Sequence, residues 1–153
     1  MAIASRGAKV VDVLIVGAGA SGLVAAKHLT ENGFDVVCLE QGQKVDVSEY
    51  AGDKPEWELM IQKRWHPNPN VRDLECDYPV DTSEAETPIL MYNAVGGTTI
   101  LYGSHWQRFM PSDFRVRTLD GVADDWPFTY EDLEPFYDEM DIEMGVSGLA
   151  GDP

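Results

Sequence analysis

An α/β fold, with a parallel sheet and flanking helices, is predicted by three consecutive features near the start of the chain. The apolar run 10–16 has the pattern of a buried strand. A glycine-rich turn, residues 17–22, follows it and opens a helical pattern that ends at Asn32, before Gly33. The mostly apolar segment 34–39 then predicts a second strand, suited to a parallel sheet that is covered on both faces.

The turn has the spacing G-x-G-x-x-G, which is typical of a Rossmann-like dinucleotide-binding unit. Gly17 permits the tight turn, Gly19 lets a pyrophosphate approach the main chain, and Gly22 lets the helix pack on the strand. The free N–H groups and the positive end of the helix dipole then face the phosphates. Glu40 follows Gly22 by 18 residues, where a carboxylate accepts hydrogen bonds from the adenosine ribose hydroxyls. An acidic residue there disfavours the 2′-phosphate of NADP.

Composition narrows the class of protein. The length of 153 residues fits one domain, and 44% apolar residues suffice for a core. We expect no membrane span, because no apolar stretch of about 18 residues exists, and no secretory signal. Cys38 and Cys76 lack metal-ligand spacing, so buried free thiols in the reducing cytoplasm are the favoured interpretation.

The net charge of −16 is unevenly distributed. Basic and acidic residues balance over residues 1–44, whereas residues 118–153 contain eleven acidic side chains and no Lys or Arg. Such a segment repels nucleic acid and anionic membrane surfaces. A solvated acidic face is the favoured interpretation, and a docking surface for a basic electron-acceptor protein is the alternative.

The middle of the chain predicts little regular structure. Residues 45–90 are interpreted as an irregular insertion, within which 56–65 has helical periodicity. Prolines in 66–70 are expected to end that helix, because a residue before proline avoids the helical region. Residues 73–88 are acidic and contain two prolines, which predicts a long excursion over the surface.

Two later segments carry further predictions. The pair Gly96-Gly97 before Thr98 and Thr99 could present N–H and O–H groups to a flat ligand, although Gly-Gly more often marks only a turn. The region 118–153 is interpreted as an acidic helical segment.

Within that acidic segment we expect two successive helical pieces. Thr129 is expected to cap a turn that starts at Tyr130. Pro135 is expected to begin a separate helix that stops at Gly145.

Together and in this order, the motifs resemble those of the glucose–methanol–choline family of flavin oxidoreductases. The resemblance is strongest to the bacterial branch with gluconate- and sugar-dehydrogenase-like large subunits and pyranose-oxidase relatives. The motifs that carry it are residues 13–22 with 39–42, then 95–99, then 125–127 with 130–137 and 145–148. The first motif occurs in many FAD proteins, whereas the second and third together are quite specific.

The resemblance implies an FAD-binding domain that holds an extended FAD and oxidises an alcohol or sugar CH–OH group by hydride transfer to flavin N5. The turn would hold the pyrophosphate, Glu40 the ribose, and the segment 96–99 would run along the isoalloxazine ring. The implied cofactor-binding residues are Gly17, Ala18, Gly19, Ala20, Ser21, Gly22, Glu40, Gln41, Gly96, Gly97, Thr98 and Thr99.

The mode of attachment is expected to be non-covalent. Some family members attach FAD through a histidine four residues after the Gly-Gly pair, and this position is Leu101 here, followed by Tyr102. His105 either approaches the ring or is a packed, hydrogen-bonded histidine beside Trp106, and both interpretations stay open.

No catalytic residue and no metal ligand is assigned. The proton-accepting histidine of the family lies near the carboxyl end of a much longer chain, so we expect this sequence to be an incomplete, inactive N-terminal fragment without the substrate domain. A non-catalytic nucleotide-binding module is the alternative. An NAD-linked dehydrogenase would use the same turn, but the segments 96–99 and 125–127 argue against it.

Overall fold

The computed structural model describes residues 10–50, 52, 54–72 and 74–149. The chain divides after Gly103 into two compact units, residues 1–103 and 104–153. Within the described ranges, none of the helices combines the length and the apolar character needed to cross a membrane.

The first unit begins with the predicted strand–helix–strand arrangement. Strand β1, Val13–Val16, is followed by helix α1, Ala20–Glu31, and strand β2, Val36–Leu39. The two strands pair in parallel, with Val13 opposite Val36 and Val16 opposite Leu39. Helix α1 ends at the predicted place, since Asn32 is its C-cap and Gly33 follows with φ of +87°. The predicted α/β fold is confirmed.

Side chains alternate between the two faces of this small sheet. On one face Ile15 is half-buried, and a Cβ at Gly22 of α1 would lie 3.3 Å from its Cγ2, so α1 covers this face. On the other face Leu14, Val16 and Leu39 are 58%, 81% and 52% exposed. We expected both faces to be covered. The described residues cover one, because a single helix connects the two strands.

Among its described residues, the middle of the first unit contains only short elements. They are a 3-10 turn at Val47–Glu49, helix α2 at Trp57–Met60 and helix α3 at Pro69–Arg72. The predicted helix over 56–65 is wrong beyond Met60, because Trp65 leaves the helical path and stacks on Tyr92, with ring centroids 5.5 Å apart. Residues 74–88 contain no helix or strand, as predicted.

The second unit is helical, as predicted for the acidic segment. It contains a 3-10 turn at Pro111–Arg115, helix α4 at Val116–Asp120 and helix α5 at Tyr130–Met144. Phe114 and Tyr130 are its most buried side chains, at 4% and 5% exposure.

Helix α5 differs from the two pieces that we expected. It begins after Thr129 and ends at Gly145, as predicted, but Pro135 lies inside it. Pro135 has no N–H, so the carbonyl of Glu131 lacks its helical hydrogen-bond donor. The fixed φ of proline is nevertheless a helical value. Asp132 accepts a hydrogen bond from the Thr129 N–H at 2.8 Å. With the first turn secured in this way, one helix continues through the proline.

Arg108 anchors the segment before the 3-10 turn to helix α5. Its guanidinium lies 2.8 Å from Asp138 and 2.7 Å from Asp141, and it donates to the Tyr130 hydroxyl at 3.3 Å. These hydrogen bonds, first that with Tyr130, raise the pKa of Arg108. The acidic face of α5 is therefore partly used for packing within this unit.

The two thiols are free, as expected, but less buried than predicted. Cys38 and Cys76 are both only partly covered. The Cys38 thiol lies 3.7 Å from the carbonyl oxygen of Gly17, behind the glycine turn.

Candidate functional site: the glycine turn and the segments around it

The glycine turn connects β1 to the amino end of α1. The Gly17 N–H donates to the Leu39 carbonyl at 2.7 Å, which ties the turn to the end of β2. A Cβ at Gly22 would lie 2.0 Å from the Gly17 oxygen, so the close helix–strand approach requires a residue without a side chain. Gly17 itself has φ of +97°, a conformation that favours glycine.

Glu40 also contacts this turn. Its Oε2 accepts the Ala18 N–H at 2.7 Å, and its Oε1 accepts the Gly42 N–H at 2.8 Å. These bonds, first that from Gly42, hold the pKa of Glu40 below its ordinary value of 4.5. An ionised carboxylate has about four acceptor positions, so these bonds do not exhaust them. The carboxylate therefore shapes the turn and still has acceptor capacity.

The Glu40 hydrogen bonds make the stability of this unit depend on pH. Because the folded pKa lies below 4.5, their contribution is complete above that pH and is lost as the pH falls through the folded pKa. We expect wild type to exceed Glu40→Gln in free energy of unfolding, and this difference to shrink as the pH falls from about 4.5 through the folded pKa. Urea unfolding of both proteins across this range measures it. A difference that stays constant with pH would contradict the assigned ionised state.

The segment 95–99 packs against the turn, although about 70 residues of sequence separate them. The Gly96 N–H donates to the Ala18 carbonyl at 2.7 Å. A Cβ at Gly97 would lie 3.3 Å from the Gly19 Cα, so the two main chains approach closely. A 3-10 turn, Gly97–Ile100, begins there.

The hydroxyls of the two threonines have partners within the chain. The Thr98 oxygen accepts the Tyr92 N–H at 3.3 Å, and the Thr99 hydroxyl donates to the Gly96 carbonyl. Both residues are exposed. The hydroxyls thus brace the segment, which leaves its exposed surface as the part available to a flat ligand.

A close backbone approach at Gly42 holds this segment in place. A Cβ at Gly42 would lie 2.1 Å from the Asn93 carbonyl carbon and 2.2 Å from the Ala94 nitrogen. Gln43 pairs with Ala94 as an isolated parallel bridge. In the sequence, Gly42 is visible only as the last residue of the motif 39–42. The glycine was visible as a signal, but the sequence does not show which segment it meets.

The other predicted residues are placed as follows. Ala20 and Ser21 are exposed in the first turn of α1, and Gln41 is exposed after Glu40. The sequence alone leaves the role of His105 open. It is exposed and belongs to the second unit.

The arrangement fits the nucleotide part of a flavin cofactor. A Cβ built at Gly19 meets no atom within 4 Å, so open space lies beside the main chain at the start of α1. The first N–H groups of a helix have no partner within it, and they carry the positive end of the helix dipole. The turn thus offers donors and room to a pyrophosphate, while the carboxylate of Glu40 lies at its side.

Comparison with known proteins agrees with this geometry. A family model described as an NAD(P)-binding Rossmann-like domain matches residues 15–81. The chain is 46% identical over 144 residues to the 2-methyl-1,2-propanediol dehydrogenase of Mycolicibacterium austroafricanum, covering 93% of this chain and 26% of that protein.

Two further relatives match over a similar range. The fructose dehydrogenase large subunit of Gluconobacter japonicus is 31% identical, over 92% of this chain and 28% of that protein. The gluconate 2-dehydrogenase flavoprotein of Pantoea cypripedii is 29% identical, over 93% of this chain and 26% of that protein. The chain thus spans about a quarter of the length of these relatives. With its Rossmann-like turn and these relatives, the chain belongs to the glucose–methanol–choline family of flavin oxidoreductases.

Proposed function

We propose that this chain binds FAD non-covalently and contributes the cofactor-binding region of an enzyme that oxidises an alcohol or sugar CH–OH group. The observation that carries the proposal is the convergence of three distant segments: the glycine turn, Glu40 and the Gly96–Gly97 pair. Ala18 connects them, since its N–H bonds to Glu40 and its carbonyl accepts the Gly96 N–H.

Each segment has a role in the proposed site. The main chain of 17–22 receives the pyrophosphate at the start of α1, with Gly19 facing the open space. The remaining acceptor positions of Glu40 bind the adenosine ribose hydroxyls, and Gln41 lies next to it. The main chain of 96–99 orients the flat flavin ring.

Bound flavin would supply the redox chemistry, in which N5 accepts a hydride from the substrate carbon. The residues of this chain bind and orient the cofactor. We assign no proton-accepting residue within this chain. The names of the three relatives contain a diol, a sugar and a sugar acid, which supports a substrate with a CH–OH group.

The proposal also covers the domain organisation, a surface for an electron acceptor and the cellular compartment. Residues 45–90 are taken as an insertion in an FAD-binding domain, and the acidic residues of the second unit as a surface that an electron-acceptor protein could use. Two free thiols, Cys38 and Cys76, favour a reducing compartment such as the cytoplasm.

Cofactor titration of the full-length natural protein tests the proposal. We expect FAD to bind and to give the visible absorption bands of a flavoprotein, and denaturation to release the flavin, since no covalent bond is expected. Anaerobic addition of small alcohols and sugars should then bleach these bands.

The alternatives give different results. A non-catalytic nucleotide-binding module would bind FAD but would not bleach with any alcohol or sugar. An NAD-linked dehydrogenase would bind NAD instead and show no flavin bands. Binding of neither nucleotide would overturn the assignment of the turn.

A further inference from the structure

We infer that the buried Arg72–Asp77 ion pair positions the Gly96–Thr99 segment against the glycine turn and thereby tunes flavin binding. The inference rests on the proposed function, since Arg72 and Asp77 would position a flavin contact that is itself proposed. Neither residue was singled out by sequence analysis.

Arg72 and Asp77 form a buried ion pair with two hydrogen bonds between the side chains. Arg72 Nε donates to Oδ2 of Asp77 at 2.7 Å, and Nη2 donates to Oδ1 at 2.7 Å, so the ion pair is bidentate. Their side chains are 0% and 5% exposed. A pair this deeply buried is tolerated only when its remaining donors and acceptors are also satisfied.

The remaining donors and acceptors of the ion pair form hydrogen bonds with the segment before Gly96. Arg72 Nη1 donates to the carbonyl of Met91 at 2.6 Å and to that of His66 at 2.9 Å. Asp77 Oδ1 accepts the Asn93 side-chain amide at 3.1 Å. Both members of the pair therefore hold residues 91–93, one through the main chain and one through a side chain.

Aromatic packing adds to this anchorage. The Arg72 guanidinium lies 4.6 Å from the centroid of the Tyr92 ring, and the Trp65 ring stacks on Tyr92 at an angle of 7°. Trp65, Tyr92 and Ala94 are the buried cluster of this unit, with Ala94 0% exposed. Trp65 and Arg72 thus contribute to the surface against which residues 91–94 pack.

The anchored residues connect without a break to the proposed flavin contact. The Tyr92 N–H donates to the Thr98 hydroxyl at 3.3 Å, and the Gly97 N–H donates to the Ala94 carbonyl at 2.7 Å. Gly96 in turn bonds to Ala18 of the glycine turn. A shift of residues 91–93 is therefore transmitted to the Gly96–Gly97 pair and to its spacing from the turn.

The chemistry of arginine suits this role. A planar guanidinium binds a carboxylate with two parallel N–H groups while another nitrogen donates to carbonyls, whereas a lysine ammonium is a single point charge. We expect Arg72→Lys to keep the charge and to restore only part of the positioning.

FAD affinity of the full-length protein tests the inference. Arg72→Met should weaken FAD binding by about tenfold or more, by analogy with the loss found when residues that orient metal ligands are removed. It should also change the visible circular dichroism of any flavin that still binds, and Arg72→Lys should lie between wild type and Arg72→Met.

A double variant separates positioning from folding. Arg72→Met alone leaves Asp77 buried without its partner, which destabilises the protein. Arg72→Met/Asp77→Leu removes both charges, so it should regain stability towards urea. It should not regain FAD affinity, because the anchors of Met91 and Asn93 are still missing. Wild-type affinity and dichroism in the folded double variant would overturn the inference.

Arg108→Met is the matched control, since it removes an arginine with similar ion pairs from the second unit. It should lower stability without changing the dichroism of bound flavin. An equal change in dichroism from this control would show a general effect and would also overturn the inference. Failure of wild type itself to bind FAD would instead overturn the proposed function, and the inference with it.

Discussion

Gly19→Val is expected to abolish FAD binding in the full-length protein while leaving the fold intact. The backbone of Gly19 is extended, with φ of −78° and ψ of −174°, which valine adopts readily. A Cβ at this position meets no atom within 4 Å. We therefore expect the free energy of unfolding to fall by no more than about 1–2 kcal/mol, the cost of a poor residue at the N-cap of α1.

The loss of binding follows from the same open space. It is the space that the proposed pyrophosphate would need in order to reach the N–H groups at the start of α1, and a valine side chain would fill it. Flavin absorption after gel filtration measures binding, and urea unfolding measures stability. Gly148→Val is the matched control, since a Cβ there also meets nothing within 4 Å. Undiminished flavin content in Gly19→Val would show that the turn is not the pyrophosphate site.

Gly42→Ala is expected to destabilise the protein by about 1–3 kcal/mol, the usual cost of forcing atoms into a packed region. Its methyl group would lie 2.1 Å from the Asn93 carbonyl carbon, and main chain, unlike the end of a side chain, cannot swing away. The segments must separate. Such a movement would break the bond from the Val95 N–H to the Gln43 carbonyl, now 3.2 Å long.

We expect a second effect on the cofactor, because the Gly96–Gly97 pair would lose its register with the turn. Urea unfolding and FAD titration measure the two effects separately. Gly52→Ala is the control in the same unit, since a Cβ there meets nothing within 4 Å. Wild-type stability in Gly42→Ala would contradict the close approach of these two segments.

Local patterns predicted the parts of the fold whose interactions are local. Helix α1 lies within one residue of its predicted end, because a glycine turn opens it and Asn32-Gly33 closes it. Thr129 and Gly145 marked the ends of α5 for the same reason. Pro135 was misinterpreted as a helix start, since sequence statistics for proline do not show whether the preceding turn is already held by its cap.

Prediction failed where a distant residue decided the local structure. The helical periodicity of 56–65 continues beyond Met60, but burying Trp65 against Tyr92 outweighs a further turn of helix. Short helices gain little by themselves in water, so a buried aromatic contact readily overrides them. The partner lies 27 residues further along the chain, beyond the reach of any local pattern.

In the candidate site, too, local patterns were predicted from the sequence and contacts between distant residues were not. Spacing alone predicted the turn and Glu40 as binding segments, because the residues that form a turn beside a helix end are consecutive in the sequence. The Gly-Gly pair was assigned to the flavin only through the family resemblance. The sequence by itself thus determined the strand–helix–strand unit and its caps, and it predicted the kind of ligand that the unit suits. Only the tertiary structure decided that Glu40 bonds to Ala18, that Gly42 meets Asn93, and that Arg72 and Asp77 hold the segment before Gly96. These contacts join residues far apart in the chain, and their geometry depends on packing that no sequence interval encodes.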